Sequence, residues 1–382
     1  MRYADTLYGE FEVPEYIGRL METETMTRLN HVLQDMLPHG VMPWQVPSRF
    51  EHCVGVMRLA MEVVKHNPRL ADHEPLLLVS ALLHDAGNPA FSHLSEPFLK
   101  HLTGKDGESF LATLLLGSKA EQVIRSVGLN LEKVVQMVTG DAPPLSIVLN
   151  GSLDVDNVDN VVRYQKAVDG KVPYDGLRLA SRFRFVNDVW VLPEKARPDV
   201  RDWQTARRRV YATVYGNPHL TACMMLYRSV ALAVEAGEVD ESFFRLTDME
   251  AMNFLIDANS DSALLAQLVL DRQFYEQLIC VETTTPSVNF AEAVNDWNAR
   301  HKLADSICTV LKLPRAGICT YVGRGRDSRR CKLPFVGYDG QASYDVSDQT
   351  PLYRLRVYAD PSLKVDHDVV DELIIRGYGF RK

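Results

Sequence analysis

LLLVSALLHDAGNPAFSH, residues 76–93, decides how the rest of this chain is read. Leu76, Leu77, Val79, Ser80, Leu82 and Leu83 predict a buried helix. Gly87 and Pro89 then stop it, because glycine suits a helix end and proline cannot extend one. The adjacent side chains of His84 and Asp85 therefore stand at the mouth of an apolar core, where both can bind one cation. In isolation such a pair serves capping or core hydrogen bonding equally well, so further ligands must come from elsewhere in the chain.

Two stretches offer them. In SRFEHCVGVMRLAMEVV, residues 48–64, the apolar positions Val56, Leu59, Ala60, Val63 and Val64 follow the helical period. His52, one turn before Val56, faces inward with them. In NGSLDVDNVDNVVRYQ, residues 150–165, Ser152 is a candidate cap. Asp156, Asp159, Asn160 and Arg163 share one helix face there, beside apolar Val155, Val158 and Val162. Two imidazoles and two carboxylates suit one divalent ion (Mn, Fe, Co, Ni, Zn or Mg) with positions left for water.

His52, the pair His84-Asp85 and Asp156 form an H…HD…D pattern. It resembles that of the HD-domain metal-dependent phosphohydrolases. PSRFEHCVGVMRLA, ALLHDAGNPAFSH and NGSLDVDNVDNVVR are similar to successive blocks of the deoxynucleoside triphosphate triphosphohydrolase branch, as are DTLYGEFEVPEYIGRLMETETMTRLNHV and RRRVYATVY. The similarity runs over residues 4 to 235. It implies a mainly α fold, an HD-domain helical bundle, with metal ligands His52, His84, Asp85 and Asp156; Asp154 and Asp159 are the rivals for the late aspartate. It also implies a phosphate clamp at Arg49, which stands one helical turn before His52. A plain salt bridge from Arg49 to Glu51 or another neighbour is the alternative.

The same resemblance suggests Asn88, His93 and Glu108 as further catalytic residues, and Asn160, Arg163, Arg207 and Tyr211 toward the substrate, with Arg208 an alternative to Arg207. Three arginines in a row on a helix diverge, so only one or two of Arg207, Arg208 and Arg209 reach a common site. The family usually carries His-Glu after the HD block, the histidine serving proton transfer; here Gly107 precedes Glu108. The tyrosine and aspartate that shape the sugar pocket in the animal enzyme correspond to Asn160 and Tyr164. Three explanations stay open: His93 or Glu108 moves the proton, the substrate has a better leaving group or a smaller base, or the chain binds nucleotide without efficient turnover. The expected reaction is hydrolysis of a deoxynucleoside triphosphate to nucleoside and triphosphate. The alternatives are a nucleoside monophosphate phosphatase and a non-catalytic nucleotide sensor.

Composition bounds these readings. A chain of 382 residues with 46% hydrophobic content can bury a sizeable core. A formal charge of −8 and a pI near 5.8 argue against general nucleic-acid binding, so phosphate attraction has to be local. The six cysteines have no CxxC spacing, and a reducing cytoplasm is the simple expectation. No signal-like N-terminus and no membrane-length apolar run is present. The resemblance further implies a homo-oligomer, a dimer or larger, for which Trp44 and Trp190 are possible contact anchors.

For domain organisation, residues 1–15 suggest a strand or arm and Tyr16–Leu37 a helix. HGVMPWQVPSRF is a loop. Helices are expected over Glu96–Leu102, Ser109–Leu116, Ala120–Val138 and Ile147–Gln165, followed by a hairpin insertion at about 177–192 with Asn187-Asp188 at its turn. Helices resume over Val200–Glu235, as three short ones between Asp240 and Val281, and as one over Phe290–Leu311. A boundary near 312 separates this core, 1–311, from a small α+β unit, 312–382, containing the strand LYRLRVYAD and a helix over Asp366–Ile375. The most basic segment, GRGRDSRRCK at 323–332, is either a solvated loop or a phosphate site.

Overall fold

The computed structural model describes residues 1–258, 261–326, 328–347 and 350–379. Asp327 of the basic segment lies outside them. The architecture is mainly α with small sheets, as the sequence leads one to expect. The chain falls into two units, Met1–Asp35 with Trp44–Val210 and Arg329–Gln349, and Met36–Pro43 with Tyr211–Ser328 and Thr350–Lys382.

Three helices organise the first unit. One, Arg49–Lys65, opens with a capping box: Ser48 Oγ accepts from Glu51 N at 3.2 Å, and Glu51 Oε2 accepts from Ser48 N at 3.1 Å. Its buried stripe contains His52, Val56, Leu59 and Val63. The second, Glu74–Leu83, is buried from Leu77 to Leu83 and stops before His84. The third, Val155–Asp169, is capped by Asp154, whose side chain accepts from Asn157 N, and not by Ser152. The expected helix from Ile147 therefore starts eight residues later, after a 3-10 turn over Leu145–Val148. Likewise Tyr16–Leu37 is not one helix but Glu15–Met21, Glu24–Arg28 and a turn over Leu29–His31. Val32 is extended and Leu33 bridges to Ser48. Leu33 and Leu37 reach the core from that irregular segment, so apolar spacing alone overran the helix.

The hairpin forms from Arg184–Val186 and Val189–Pro193. Its turn residues, Asn187 and Asp188, have φ of 50° and 61°, the pair of left-handed conformations that a two-residue turn between twisted strands favours. Gly176–Ala180, expected within it, is helical. The hairpin is also not alone, because Leu192–Pro193 pair in parallel with Phe335–Val336, which pair in turn with Ala342–Ser343. Trp190 is buried, donates to Pro144 O at 2.8 Å, and is unavailable as a surface anchor.

The second unit holds a three-stranded antiparallel sheet in which Tyr353–Ala359 lies between Glu276–Thr283 and Ile318–Arg324. Its apolar face packs on Phe290, Leu303, Ile307, Val370 and Ile374. The contacts therefore do not divide the chain near 312. The strand Glu276–Thr283 finds its partner some seventy residues downstream, and local composition cannot signal such a pairing. The helix expected over Phe290–Leu311 is two, Val288–Ala293 and Trp297–Leu311, the latter capped by Asp296. Among the described residues no helix is long and apolar enough to cross a membrane.

Because the Arg49–Lys65 helix carries His52 on its first turn, its cap bears on both fold and site. Ser48→Ala should lower stability by about 1 kcal/mol, seen as a lower urea midpoint at unchanged slope. An unchanged midpoint would show the capping box to be energetically idle.

Candidate metal centre

His84 ends the buried helix Glu74–Leu83, and its Nδ1 lies 2.9 Å from the carbonyl of Ala81. A carbonyl only accepts, so Nδ1 carries the proton and the Nε2 lone pair points away from it. On the neighbouring helix His52 Nδ1 donates to Asp159 Oδ1 at 2.7 Å, which turns its Nε2 to the same place. The two Nε2 atoms stand 3.3 Å apart. Asp156 Oδ1 is 3.0 Å from that of His52 and 3.7 Å from that of His84. Asp85 Oδ2 is 3.6 Å from each. Lone pairs and carboxylates so placed repel unless a proton or cation lies among them, and His52, His84 and Asp85 have the spacing of a metal-binding group.

Charge follows this arrangement. Burial lowers the affinity of both imidazoles for a proton, but the carboxylates outweigh it and raise both, His84 well above its ordinary value. Burial alone would raise Asp85, yet the Arg49 guanidinium and the two imidazoles bring it down to about 2.

A second layer holds these groups. Arg49, 3% exposed, pairs through Nη1 with Asp85 Oδ2, and its Nε donates to Ser92 Oγ at 2.7 Å. Its salt bridge is thus to Asp85, not to Glu51. Ser92 reaches it because Phe91 and Ser92 both adopt left-handed backbone, with φ of 60° and 53°; neither is glycine, so the turn is strained by roughly 1–3 kcal/mol per residue. Asn88 donates to Asp85 Oδ1 at 2.8 Å. Behind His52, Asp159 is fully buried and accepts from Arg163 Nε at 2.8 Å, while Arg163 Nη2 reaches Asp5 Oδ2 at 3.0 Å. Arg163 is therefore committed to two carboxylates at 2% side-chain exposure, which removes it from the expected substrate contacts. Helix spacing names its face but not Asp5, which closes over it from the strand Arg2–Asp5, paired antiparallel with Gly9–Glu12.

Backbone is packed tightly here. A Cβ on Gly55 would fall 2.2 Å from both Arg163 Nη2 and Asp159 Oδ2, and one on Gly87 would fall 2.0 Å from Gly107 O. At Gly107 a Cβ would come within 2.5 Å of Asn88 Oδ1, so any larger residue there would have to displace the Asn88 side chain. The next residue, Glu108, is exposed, accepts from Asn150 Nδ2 at 3.4 Å, and is pushed up to about 7, first by desolvation among its neighbours and then by Asp106.

The remaining sequence candidates are dispersed. His93 is half-exposed and pairs with Glu96 at 2.9 Å. Asp154 is a buried cap, not a neighbour of the imidazoles. Asn160 is half-buried on the Asp156 helix. Arg207 is buried and donates to Asn157 Oδ1 at 2.8 Å, whereas Arg208 donates to Thr205. Tyr211 belongs to the second unit, its ring 5.8 Å from that of Tyr215. Sequence reasoning missed Asp5, Ser92, Asn157 and Arg329, none of which has a local pattern.

A second cluster, Glu235, His301 and Asp305, also has metal-like spacing. There Arg228 donates to His301 Nδ1, so Nε2 holds the proton and faces the two carboxylates. Arg315 bridges both carboxylates. We read this cluster as an ion-pair network.

Residues 49–169 match the HD domain family model. The chain is 23% identical over 282 residues to an uncharacterized protein of Methanocaldococcus jannaschii, covering 72% of this chain and 58% of that one. It is 33% identical over 107 residues to the deoxynucleoside triphosphate triphosphohydrolase SAMHD1 homolog of Dictyostelium discoideum, covering 26% of this chain and 21% of the relative. The chain thus spans only part of the length of both relatives. Its fold is that of a hypothetical protein from Aquifex aeolicus, with TM-score 0.76 and 19% identity over 98% of this chain and 99% of the other. It is also that of a phosphohydrolase from Bacteroides thetaiotaomicron, with TM-score 0.70 and 17% identity over 94% and 99%.

Two substitutions test the layered arrangement. Gly55→Ala should break the Arg163–Asp159 contact and weaken divalent-metal binding about 10- to 100-fold, the usual cost of losing a ligand's supporting partner. Gly377→Ala, where nothing lies within 4 Å of the added Cβ, should leave metal binding unchanged in the same calorimetric titration. Equal metal affinity for Gly55→Ala and the unaltered protein would refute the role given to Asp159.

Proposed function

We propose, from the match of residues 49–169 to the HD domain family model, that this chain is a metal-dependent phosphohydrolase acting on nucleotides, with deoxynucleoside triphosphates hydrolysed to nucleoside and triphosphate. What supports the reading is the cluster of His52, His84 and Asp85, whose ligand atoms have metal-binding spacing, with Asp156 Oδ1 3.0 Å and 3.7 Å from the same two imidazole nitrogens. The preference for deoxynucleoside triphosphates rests on the partial similarity to SAMHD1-type relatives.

In this reading His52, His84, Asp85 and Asp156 hold one divalent ion. When bound, such an ion polarises a phosphoryl oxygen and lowers the pKa of a water. Arg49 keeps Asp85 ionised and oriented, and it brings positive charge to the edge of the site where a phosphoryl group gathers negative charge. Asn88 fixes the other oxygen of Asp85. Glu108 is the proton donor to the leaving oxygen, since a carboxyl held near 7 is half protonated at neutral pH. It follows Gly107 directly, so the helix that lacks the usual histidine still supplies an acid.

Three outcomes follow. Asp85→Ala should lose bound metal by elemental analysis; full occupancy would defeat the ligand assignment. Arg49→Ala should lower kcat/KM on a nucleotide at least tenfold; a change within about twofold, less than about 0.5 kcal/mol, would rule out the charge-offsetting role. If Glu108 donates a proton, activity should be present below about pH 7 and fall as pH rises through that value and the carboxyl ionises. Glu108→Gln should abolish that limb, and a limb unchanged in the variant would assign it to another group. Phosphorus NMR of the products identifies the bond broken: triphosphate is expected, whereas orthophosphate alone would favour a monophosphate phosphatase. No release from any nucleotide with any of Mn, Co, Ni, Fe, Mg or Zn would leave a nucleotide-binding protein.

A further inference from the structure

The basic segment at 323–332 does not stay solvated at Arg329. Arg329 Nη1 donates to Asn157 Oδ1 at 2.7 Å, and its Nη2 donates to the carbonyl of Gly151 and lies 3.4 Å from Asp154 Oδ2. Asn157 and Asp154 flank Asp156. Asp154 caps the helix by accepting from Asn157 N at 2.7 Å, and it also accepts from Asn157 Nδ2 at 2.8 Å and from Gly151 N at 3.0 Å. Arg207 meets the same Asn157 oxygen from another helix. The segment after Arg329 is itself pinned, because Lys332 N donates to Ser152 Oγ at 2.8 Å. Asp345 accepts from Cys331 N at 3.0 Å and from Gln204 Nε2 at 2.6 Å.

Asp156, by contrast, has a side chain 29% exposed, and its Oδ1 meets the two imidazoles. Among the described residues only those imidazoles anchor the carboxylate, so its placement against His52 and His84 depends on the backbone turn that carries it. That turn, Gly151 to Asn157, is closed by a fork from a residue 172 positions away. We propose that Arg329 is a positioning residue for the metal centre: its guanidinium locks the turn before the helix and thereby sets Asp156 against the imidazoles. The inference rests on the metal-centre reading above.

The test compares Mn2+ binding by calorimetry, together with kcat and KM, for the full-length protein and its Arg329→Ala, Arg329→Lys and Asp85→Ala variants. Arg329→Ala should weaken Mn2+ binding about tenfold or more and lower kcat, with KM within about twofold. Arg329→Lys keeps the charge but loses the two-pronged fork, and should recover only part of the loss. Unchanged Mn2+ affinity in Arg329→Ala, or a raised KM as its sole effect, would overturn the proposal and make Arg329 a substrate contact or a bystander. Complete recovery in Arg329→Lys would overturn the part assigned to hydrogen-bond geometry. Should Arg329→Ala fail to fold, Gln204→Ala, which loosens the clasp on the same segment, should shift Mn2+ affinity in the same direction by a smaller factor; no shift would count against the proposal. If the unaltered protein binds Mn2+ no better than Asp85→Ala, the metal-centre reading itself has failed.

Discussion

Two imidazole nitrogens turned toward each other at 3.3 Å, with carboxylate oxygens of Asp85 and Asp156 beside them, form an arrangement that favours a proton or a cation among them. Each Nδ1 is committed to an acceptor, Ala81 O or Asp159, so neither ring can rotate its lone pair away without leaving a buried N–H unpaired. The demand for positive charge at that point is a property of the folded chain. Most of the supporting structure serves to keep the demand unrelieved by anything but a proton or a cation.

That support is built from ion pairs placed one layer out. Arg49 faces Asp85, and Arg163 faces Asp159 and Asp5, so these three carboxylates each have a guanidinium beside them. Buried pairs of this kind contribute little net stability, but removing one partner is costly because the other charge is stranded. The consequence is geometric: the side chains have few alternative arrangements. Close backbone contacts at Gly55, Gly87 and Gly107 leave equally little slack in the elements that carry them. Activity from such a centre would come from preorganisation, since the groups need not move to receive charge.

Much of this was legible in the chain itself. Helical spacing turned His52 inward, and glycine with proline after His84-Asp85 set that pair at a helix end; the structure brings both to Asp156. The same spacing misled where a face was shared by groups with different fates. Arg163 lies on the Asp156 side of its helix by periodicity, yet Asp5, 158 positions earlier, closes over it. Apolar periodicity also ran through Val32 to Leu37, where an irregular segment buries Val32, Leu33 and Leu37. Arg329 was visible only as part of a charge run, because its partners are far away in sequence. The division of the chain was hidden for the same reason: the strand Glu276–Thr283 pairs with Tyr353–Ala359, and Arg329–Gln349 returns to the first unit. Local pattern reports what a residue can do, and long-range contacts decide which of those things it does.

The central claim is that this cluster, and not the group of Glu235, His301 and Asp305, holds a divalent cation. Anomalous diffraction from crystals grown with Mn2+ tests it most directly. The account predicts one strong peak within coordination distance of His52 Nε2, His84 Nε2 and the carboxylates of Asp85 and Asp156, and none at Glu235, His301 and Asp305. A peak at the second cluster with none at the first, or a protein without bound metal at saturating Mn2+, would contradict it.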